Sequence, residues 1–304
     1  MAGRKLMSDE PLVSIIIPCY KMGAYIGEAL ASVGRQTYAH WEIIAVDDCG
    51  PEDGTREAVE AFAARHSDHR VKLLLLAENK GVSGARNAGA AAAKGEFLAF
   101  LDSDDVWRAN HLECHLSEHR SAETEIVSTS RAEFFFGDDP SIVSGEWGYS
   151  AWEKSIFPRS LALRNVIVPS TVILPAEQFQ KVGGFDEDRA MTHTEDWDLW
   201  VRLVEHGMEF RFLEQFSVLY RRHEGGATAD RVAMRRRVEA FASKNHVKLF
   251  ADLGLSAWQL STRVDALEAR LNWLQRNPLI RLLSFFQGLI GRDKKDHTGG
   301  RRQN

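Results

Sequence analysis

Four short apolar runs, Val13–Ile17, Ile43–Val46, Val71–Leu76 and Phe97–Leu101, constrain the fold of this chain most. Each is continuous rather than alternating, as expected of strands buried on both faces. Helix-like segments separate them, at Ala24–Arg35, Gly54–Arg65 and Ser83–Lys94. Strand, helix, strand in regular alternation is the βαβ repeat and implies a largely parallel sheet. Right-handed crossovers then place helices on both faces.

The unusual polar residues sit directly after these runs. Pro18-Cys19-Tyr20 follows the first, Asp47-Asp48 the second, Asn79-Lys80-Gly81 the third and Asp102-Ser103-Asp104-Asp105 the fourth. Ligands of open parallel sheets bind at the carboxyl ends of the strands, so these clusters describe one pocket. At the fourth end, crowded carboxylates repel one another unless a cation sits among them. Mg²⁺ and Mn²⁺ take carboxylate and phosphate oxygens together. The same residues would also suit the N-terminus of a helix ahead of Trp107.

Asp47 and Asp48 are placed to accept hydrogen bonds from a ribose or a base, or to cap the helix after Gly54. Asn79–Asn87 opens a helix whose glycines, with Arg86, offer a diphosphate site. Its G-x-x-G pattern follows the third strand, which argues against a dinucleotide fingerprint. Farther on, Thr194 reads as an N-cap for a helix through Glu205. Glu195 and Asp196 at its start are either a general base with a neighbouring acid or merely complements to the helix dipole. His223 lies between Arg221-Arg222 and Gly225-Gly226.

Further strands are expected at Glu125–Phe136, Val166–Leu174 and Glu209–Tyr220, with a turn at Gly137–Pro140. Beyond them, Asp230–Leu253, Ser256–Arg276 and Leu279–Ile290 read as helical. With 44% hydrophobic and 27% charged residues, the chain can fill a core. Its three cysteines, Cys19, Cys49 and Cys114, have neither disulfide nor zinc spacing. A reducing, cytoplasmic setting is expected, since no long apolar span and no secretory leader is apparent. The net charge of −5 hides an excess of basic residues from Arg221 to Asn304, where 17 Lys+Arg face 8 Asp+Glu. The basic excess lies in the tail while the pocket is acidic, so nucleic-acid binding is not expected.

In order along the chain, Val13-Ser14-Ile15-Ile16-Ile17-Pro18-Cys19-Tyr20, Ser32–Tyr38, Glu42–Asp48, Asn79-Lys80-Gly81, Ala85-Arg86-Asn87, Phe100–Asp105, Gly183-Gly184-Phe185-Asp186 and Glu195–Trp200 resemble family 2 glycosyltransferases. The resemblance spans about residues 12–225. It implies the GT-A fold, an α/β nucleotide-diphospho-sugar transferase architecture with a mostly parallel sheet flanked by helices. It also implies inverting transfer of a sugar from a nucleotide-diphosphate donor, a UDP-sugar in the first instance, to an acceptor hydroxyl of a glycan or lipid-linked molecule. Asp102-Ser103-Asp104 looks like the family's DxD motif. By that likeness Asp104, Asp102 and His223 form the site for Mn²⁺ or Mg²⁺, with Asp102 also at the ribose and His223 near the diphosphate. Pro18, Tyr20, Asp47, Asp48 and Ser103 line the donor pocket, with Arg86 near the base or diphosphate. Asp196 is the catalytic base, and Glu195 and Gly184 lie on the acceptor side. Lys21 stands where the family usually has Asn, and Cys49-Gly50-Pro51 replaces its usual turn.

The organisation expected is a disordered stretch over residues 1–11, a catalytic domain over 12–226, a helical extension over 227–291 and a disordered basic tail over 292–304. The apolar stripe within residues 278–295 has flanking Arg and Lys. It would lie either in the interface of an inner membrane face or against protein, including a second copy of the chain. A sugar nucleotidyltransferase and a non-catalytic nucleotide-sugar-binding protein are the competing functions. The first would want a Gly- and Lys/Arg-rich loop after the first strand, which Pro18-Cys19-Tyr20-Lys21 does not supply.

Overall fold

The computed structural model describes residues 8–66, 70–162 and 164–223, together with Phe241 and Lys244. All of them belong to the first of two units of the chain, Met1–Leu249. Apart from Phe241 and Lys244, the helices expected from Asp230 onward and the basic tail lie outside the described residues.

The βαβ rhythm is present. Strand β1 (Val13–Cys19) leads through α1 (Ile26–Gly34) to β2 (Trp41–Asp47). Helix α2 (Thr55–Arg65) leads to β3 (Val71–Leu75), and α3 (Gly81–Ala92) leads to β4 (Phe97–Phe100). These strands pair in parallel in the order β3-β2-β1-β4. β1, β2 and β4 are almost wholly buried, as continuous apolar runs require. β3 is the edge strand and is only half-buried, and Leu75 on it is exposed. Helix α3 lies so close to the sheet that a Cβ at Gly89 would fall 2.5 Å from Ile16 Cγ2.

The rest of the sheet is mixed rather than parallel. After β5 (Val106–Trp107) and α4 (His111–Ser121) come β6 (Ile126–Phe136), β7 (Val143–Trp147), α5 (Ala151–Ser155) and β8 (Val172–Pro175). Helix α6 (Ala176–Lys181), α7 (Glu195–Glu205) and β9 (Glu209–Arg222) complete the described elements. β8 runs antiparallel to β4 and β6, β9 runs parallel to β6, and β5 runs antiparallel to β9. The strand expected over Val166–Leu174 begins only at Val172, because Pro169–Thr171 forms a turn of 3₁₀-helix first. Residues 10 and 11 were expected to be disordered but are fastened. The Glu10 carbonyl lies 2.7 Å from His40 Nδ1, and Tyr38 Oη donates to the Pro11 carbonyl at 2.6 Å.

One layer of the core is polar. His111, His115 and His119 form a buried stripe on α4, at the spacing that puts side chains on one helix face. His111 Nδ1 meets Ser217 Oγ at 2.8 Å, while His115 Nδ1 and His119 Nε2 converge on Ser128 Oγ at 2.7 and 2.9 Å. Burial pushes His111 down to about 3 and His119 to about 4, and burial with the neighbouring histidines takes His115 well below its ordinary value. The fold therefore wants neutral rings. Their stability contribution is complete above the unfolded-state value near 6.5 and is lost as the pH falls from there toward 3. The thermal unfolding midpoint is expected to drop between pH 7.5 and pH 5. His115→Gln is expected to make that dependence shallower, by up to about 1.4 kcal/mol per pH unit; an unchanged slope in scanning calorimetry would contradict the neutral stripe.

Candidate active site

The strand order explains where the site lies. Chain order reverses between β1 and β4, the place where an open α/β sheet leaves a crevice at its strand ends. Pairing of β1 with β4 stops at Ile16, while β1 stays paired with β2 to Cys19. Pro18, which has no N–H to donate, falls just past the end of the β4 ladder. Tyr20 follows it and is 42% exposed. Lys21 and Cys49, at the ends of β1 and β2, both have left-handed backbones, with φ of 59° and 55°. Asn adopts that conformation more readily than Lys, which gives a physical reason for the Asn usual at the first position.

Asp47 and Asp48 have different tasks. Asp47 accepts from Gly50 N at 2.7 Å and from Arg56 Nε, shaping the turn after β2. Asp48 accepts from Lys80 N at 2.7 Å and Gly81 N at 2.8 Å. The start of α3 was expected to receive a diphosphate. Instead Asp48 occupies it, because a carboxylate satisfies the free amides of a helix N-terminus. Asp48 caps this helix rather than the one after Gly54. Burial raises its pKa, against the pull of those two amides.

The acidic loop after β4 caps no helix, since β5 follows it directly. β5 pairs with β9 in the register Val106↔Leu219, which carries Asp104 and Asp105 alongside Tyr220–His223. Asp105 is fully buried and accepts from Ser170 Oγ at 2.5 Å and Arg221 N at 3.0 Å. Burial, then the charges of Asp104 and Asp102, raise its pKa well above the carboxylate range. Arg221, also buried, donates to the Asp104 carbonyl at 2.9 Å, the Gly137 carbonyl at 2.5 Å and Glu28 Oε2 at 2.5 Å. Two residues later, His223 Nε2 lies 3.1 Å from Asp104 Oδ2. Ser103 between the two aspartates is buried.

A second charged group links α3 to the acidic loop and to α7. Arg86, on α3 and 3% exposed, donates to Asp102 Oδ1 at 2.6 Å and to Glu195 Oε1 at 2.8 Å. Burial works against its charge, but Asp102 and Glu195 more than offset that, so the guanidinium stays protonated. Its face lies over Phe185, 5.1 Å from the ring centre. Phe185 is held by Asn87, whose Oδ1 accepts from Phe185 N at 2.9 Å. Gly184 allows this turn. Its φ is +71°, and a Cβ there would lie 2.6 Å from Asn87 Oδ1. Arg86 thus joins the acidic loop to the start of α7.

Asp196 follows Glu195. Its Oδ1 accepts from Trp197 N at 2.7 Å and its Oδ2 from Asn165 Nδ2 at 2.9 Å. Burial and then the charge of Glu195 push its pKa up to about 7, against the opposing pull of Trp197 N–H, Arg86 and Asn165. The side chain nonetheless keeps some exposure. Thr194 does not cap α7 with its side chain; its hydroxyl donates to the Met191 carbonyl at 2.9 Å.

The expected metal trio is not assembled. Among the described residues no three His, Cys, Asp or Glu side chains gather to hold an ion. Asp102 is turned to Arg86 instead, leaving Asp104 and His223 as a facing pair. Such a pair fits Mg²⁺ or Mn²⁺, which use one or two protein carboxylates and take further oxygens from substrate phosphates. Burial and then the charge of Asp102 raise the pKa of Asp104, so its surroundings favour added positive charge. Sequence reasoning had no signal for Asn165 and Ser170. Both lie in the irregular run before β8, and only the tertiary fold brings them to carboxylates.

The mixed sheet thus carries an acidic loop at its central strand end, tied through Arg86 to the carboxylate-bearing start of α7. Two family models match: "Glycosyl transferase family 2" over residues 14–171, and "N-terminal domain of galactosyltransferase" over residues 165–224. The chain belongs to glycosyl transferase family 2. It is 48% identical over 109 residues to the UDP-Glc:alpha-D-GlcNAc-diphosphoundecaprenol beta-1,3-glucosyltransferase WfgD of Escherichia coli, a match covering 36% of this chain and 41% of that protein. The chain therefore spans less than half the length of the first curated relatives it matches.

The fold is GT-A, shared with solved structures of low sequence identity. The S. aureus TarS 1-349 complex with UDP-GlcNAc matches at TM-score 0.59 and 20% identity, covering 77% of this chain and 67% of that one. The mannosyltransferase PcManGT of Pyrobaculum calidifontis, in complex with GDP-Man and Mn2+, matches at TM-score 0.60 and 20% identity, covering 93% and 81%.

The Arg86 brace has a measurable consequence. Arg86→Met leaves the buried Glu195 carboxylate without its cation, and breaking such a pair costs about 3–5 kcal/mol. The expected result in urea unfolding is a loss of that size, partly restored by adding Glu195→Gln. No loss in the single variant would show that the bridge is not formed in solution.

Proposed function

We propose that this chain transfers a sugar from a nucleotide-diphosphate donor, a UDP-sugar, to an acceptor hydroxyl with inversion, in polysaccharide or glycoconjugate synthesis. The observation that carries the reading is the continuous path from the acidic loop through Asp102, Arg86 and Glu195 to Asp196. It supports reading Asp104 and Asp196 as parts of one site.

In this mechanism the donor lies across the ends of β1, β2 and β4. Pro18, Tyr20, Asp47, Asp48 and Ser103 line the nucleotide side. Asp104 and His223 would hold Mn²⁺ or Mg²⁺, which supplies charge compensation for the leaving diphosphate. Arg86 serves as the brace that aligns the acidic loop with α7, and its charge contributes to the field around the leaving group. Asp196 takes the proton of the acceptor hydroxyl as that oxygen attacks the anomeric carbon. The nucleoside diphosphate departs from the opposite face. A carboxylate tuned near neutrality suits a general base at physiological pH, a role worth about 10²–10⁴-fold. Gly184 and Glu195 shape the acceptor side.

The activity named for the Escherichia coli relative, WfgD, supports a lipid-linked diphosphate-sugar acceptor for this chain too. Among the described residues no helix is long and apolar enough to cross a membrane. Contact with such an acceptor at the inner membrane face would then be peripheral, through residues 278–295, which lie outside the described residues. Liposome flotation of the full chain and of a chain ending at residue 277 tests that contact, and equal behaviour would remove it.

Asp196→Asn is expected to lower turnover by about 10²-fold or more while leaving nucleotide binding intact. Near-normal transfer by it would remove Asp196 from the base role. In the wild type the base must be ionised, so kcat/KM is expected to rise with pH through about 7. Asp104→Ala is expected to abolish the Mn²⁺-dependent part of UDP binding in a thermal-shift assay. The same shift with and without Mn²⁺ in both proteins would contradict the metal assignment.

A further inference from the structure

We propose that Asn165 is a positioning residue for Asp196: its carboxamide holds the carboxylate ionised and in a single orientation. The proposal deepens the base assignment and rests on it. Asn165 comes from the irregular segment between α5 and β8, not from α7, so its contact with Asp196 is tertiary.

Three observations carry the inference. First, the amide is not free to turn over. Asn165 Oδ1 accepts from Ile167 N at 3.0 Å, which leaves Nδ2 as the group facing Asp196 Oδ2 at 2.9 Å. An amide nitrogen only donates, and an ionised carboxylate accepts more strongly than a neutral acid. The contact therefore selects the charged form that a base needs.

Second, the segment is fastened to α7 on either side of Asn165. Trp197 Nε1 donates to the Leu161 carbonyl at 2.8 Å, and Trp200 Nε1 donates to the Ile167 carbonyl at 2.9 Å. Both indoles are buried or nearly so. The donor is thus pre-placed, and Asp196 need not order it at the moment of reaction.

Third, the two oxygens of Asp196 are held from opposite partners, Oδ1 by the Trp197 amide and Oδ2 by Asn165. A carboxylate gripped at both ends has one orientation. The charged and titratable groups acting on it are Glu195 beside it on α7, Arg86 from α3, and Tyr149 from the segment before α5, whose hydroxyl donates to the Arg164 carbonyl. Glu195 disfavours the ionised form, so the hydrogen bond from Asn165 opposes a like charge held next door.

The test reads the carboxyl directly rather than through turnover. The protein is labelled with ¹³C at the aspartate side-chain carboxyl, and Asp196→Asn identifies the resonance of Asp196. Wild-type Asp196 is expected to titrate near 7. Asn165→Ala is expected to move that midpoint upward by about one pH unit, the worth of one hydrogen bond to a charged group. Asn165→Asp keeps the shape and the acceptor for Ile167 N but sets a second carboxylate against Asp196, and is expected to move the midpoint further. It also serves if the alanine variant folds poorly. Asn165→Gln, which retains a donor amide, is expected to restore part of the shift. An unmoved midpoint in both Asn165→Ala and Asn165→Asp would overturn the proposal. The base assignment fails separately, by transfer that survives Asp196→Asn, and the titration would still report on Asn165 in that event.

Discussion

The ion pair chain Asp102–Arg86–Glu195 is the constraint on which the arrangement of the site depends. Its three residues come from the loop after β4, from α3 and from α7. A buried guanidinium has lost its water, and only close carboxylates offset that cost. Two carboxylates flank it, so the group is anionic on balance, and neither can be moved without exposing the others. Among the described residues, Arg86 Nε and Glu195 Oε2 have no hydrogen-bond partner. The bridge therefore fixes geometry more than it adds stability, in keeping with the modest net value of buried pairs.

The acidic loop has its own lock. Asp105, whose proton affinity is raised by burial and by the charges of Asp104 and Asp102, is held by Ser170 and the Arg221 amide. Arg221 then ties the loop's backbone to α1 and to the turn at Gly137. Because β5 and β9 are antiparallel, the same strand that carries Arg221 delivers His223 to Asp104. A pairing of only two residues in β5 thus has a large effect, since it sets which side chains of β9 meet the acid loop. The motif's three aspartates have three separate fates: a guanidinium, an open pair with histidine, and a buried hydrogen-bonded site.

The parallel half of the sheet was legible in the sequence because its strands are buried on both faces and leave uninterrupted apolar runs, as in Ile15-Ile16-Ile17 and Ile43–Val46. The mixed half was less so. β8 is announced by Val172-Ile173-Leu174, but the apolar Val166–Val168 just before it belongs to an irregular run, and hydrophobicity alone does not separate the two. The acidic residues of the site could be found by their crowding at strand ends. What each one touches could not. Asp48 was expected at a nucleoside or at the helix after Gly54; its cap on α3 was not foreseen, because the amides of Lys80 and Gly81 reach it only through the pairing of β2 with β3. Asn165 and Ser170 carry no local pattern at all, and their roles exist only through contacts with residues 31 and 65 positions away.

Helix α7 shows why such contacts matter beyond packing. Along one turn it presents Glu195 to Arg86, Asp196 to Asn165 and Trp197 to the Leu161 carbonyl. Its far side is held as well. Trp197 stacks on Phe241 with ring centres 4.4 Å apart, and Lys244 donates to Asp198 Oδ1 at 2.9 Å and to Asp186. Asp186 follows the Gly183–Phe185 turn that underlies Arg86. The helix is therefore gripped by α3, by the segment before β8 and by residues beyond the matched family region. A helix anchored from three directions cannot rock, so the orientation of Asp196 is set by the fold before any acceptor arrives. Preorganisation of that kind is what positioning contributes to a two-substrate displacement. For the proposed base, the like charge of Glu195 raises its proton affinity toward neutrality, and the hydrogen bonds from Asn165 and the Trp197 amide act in the opposite direction.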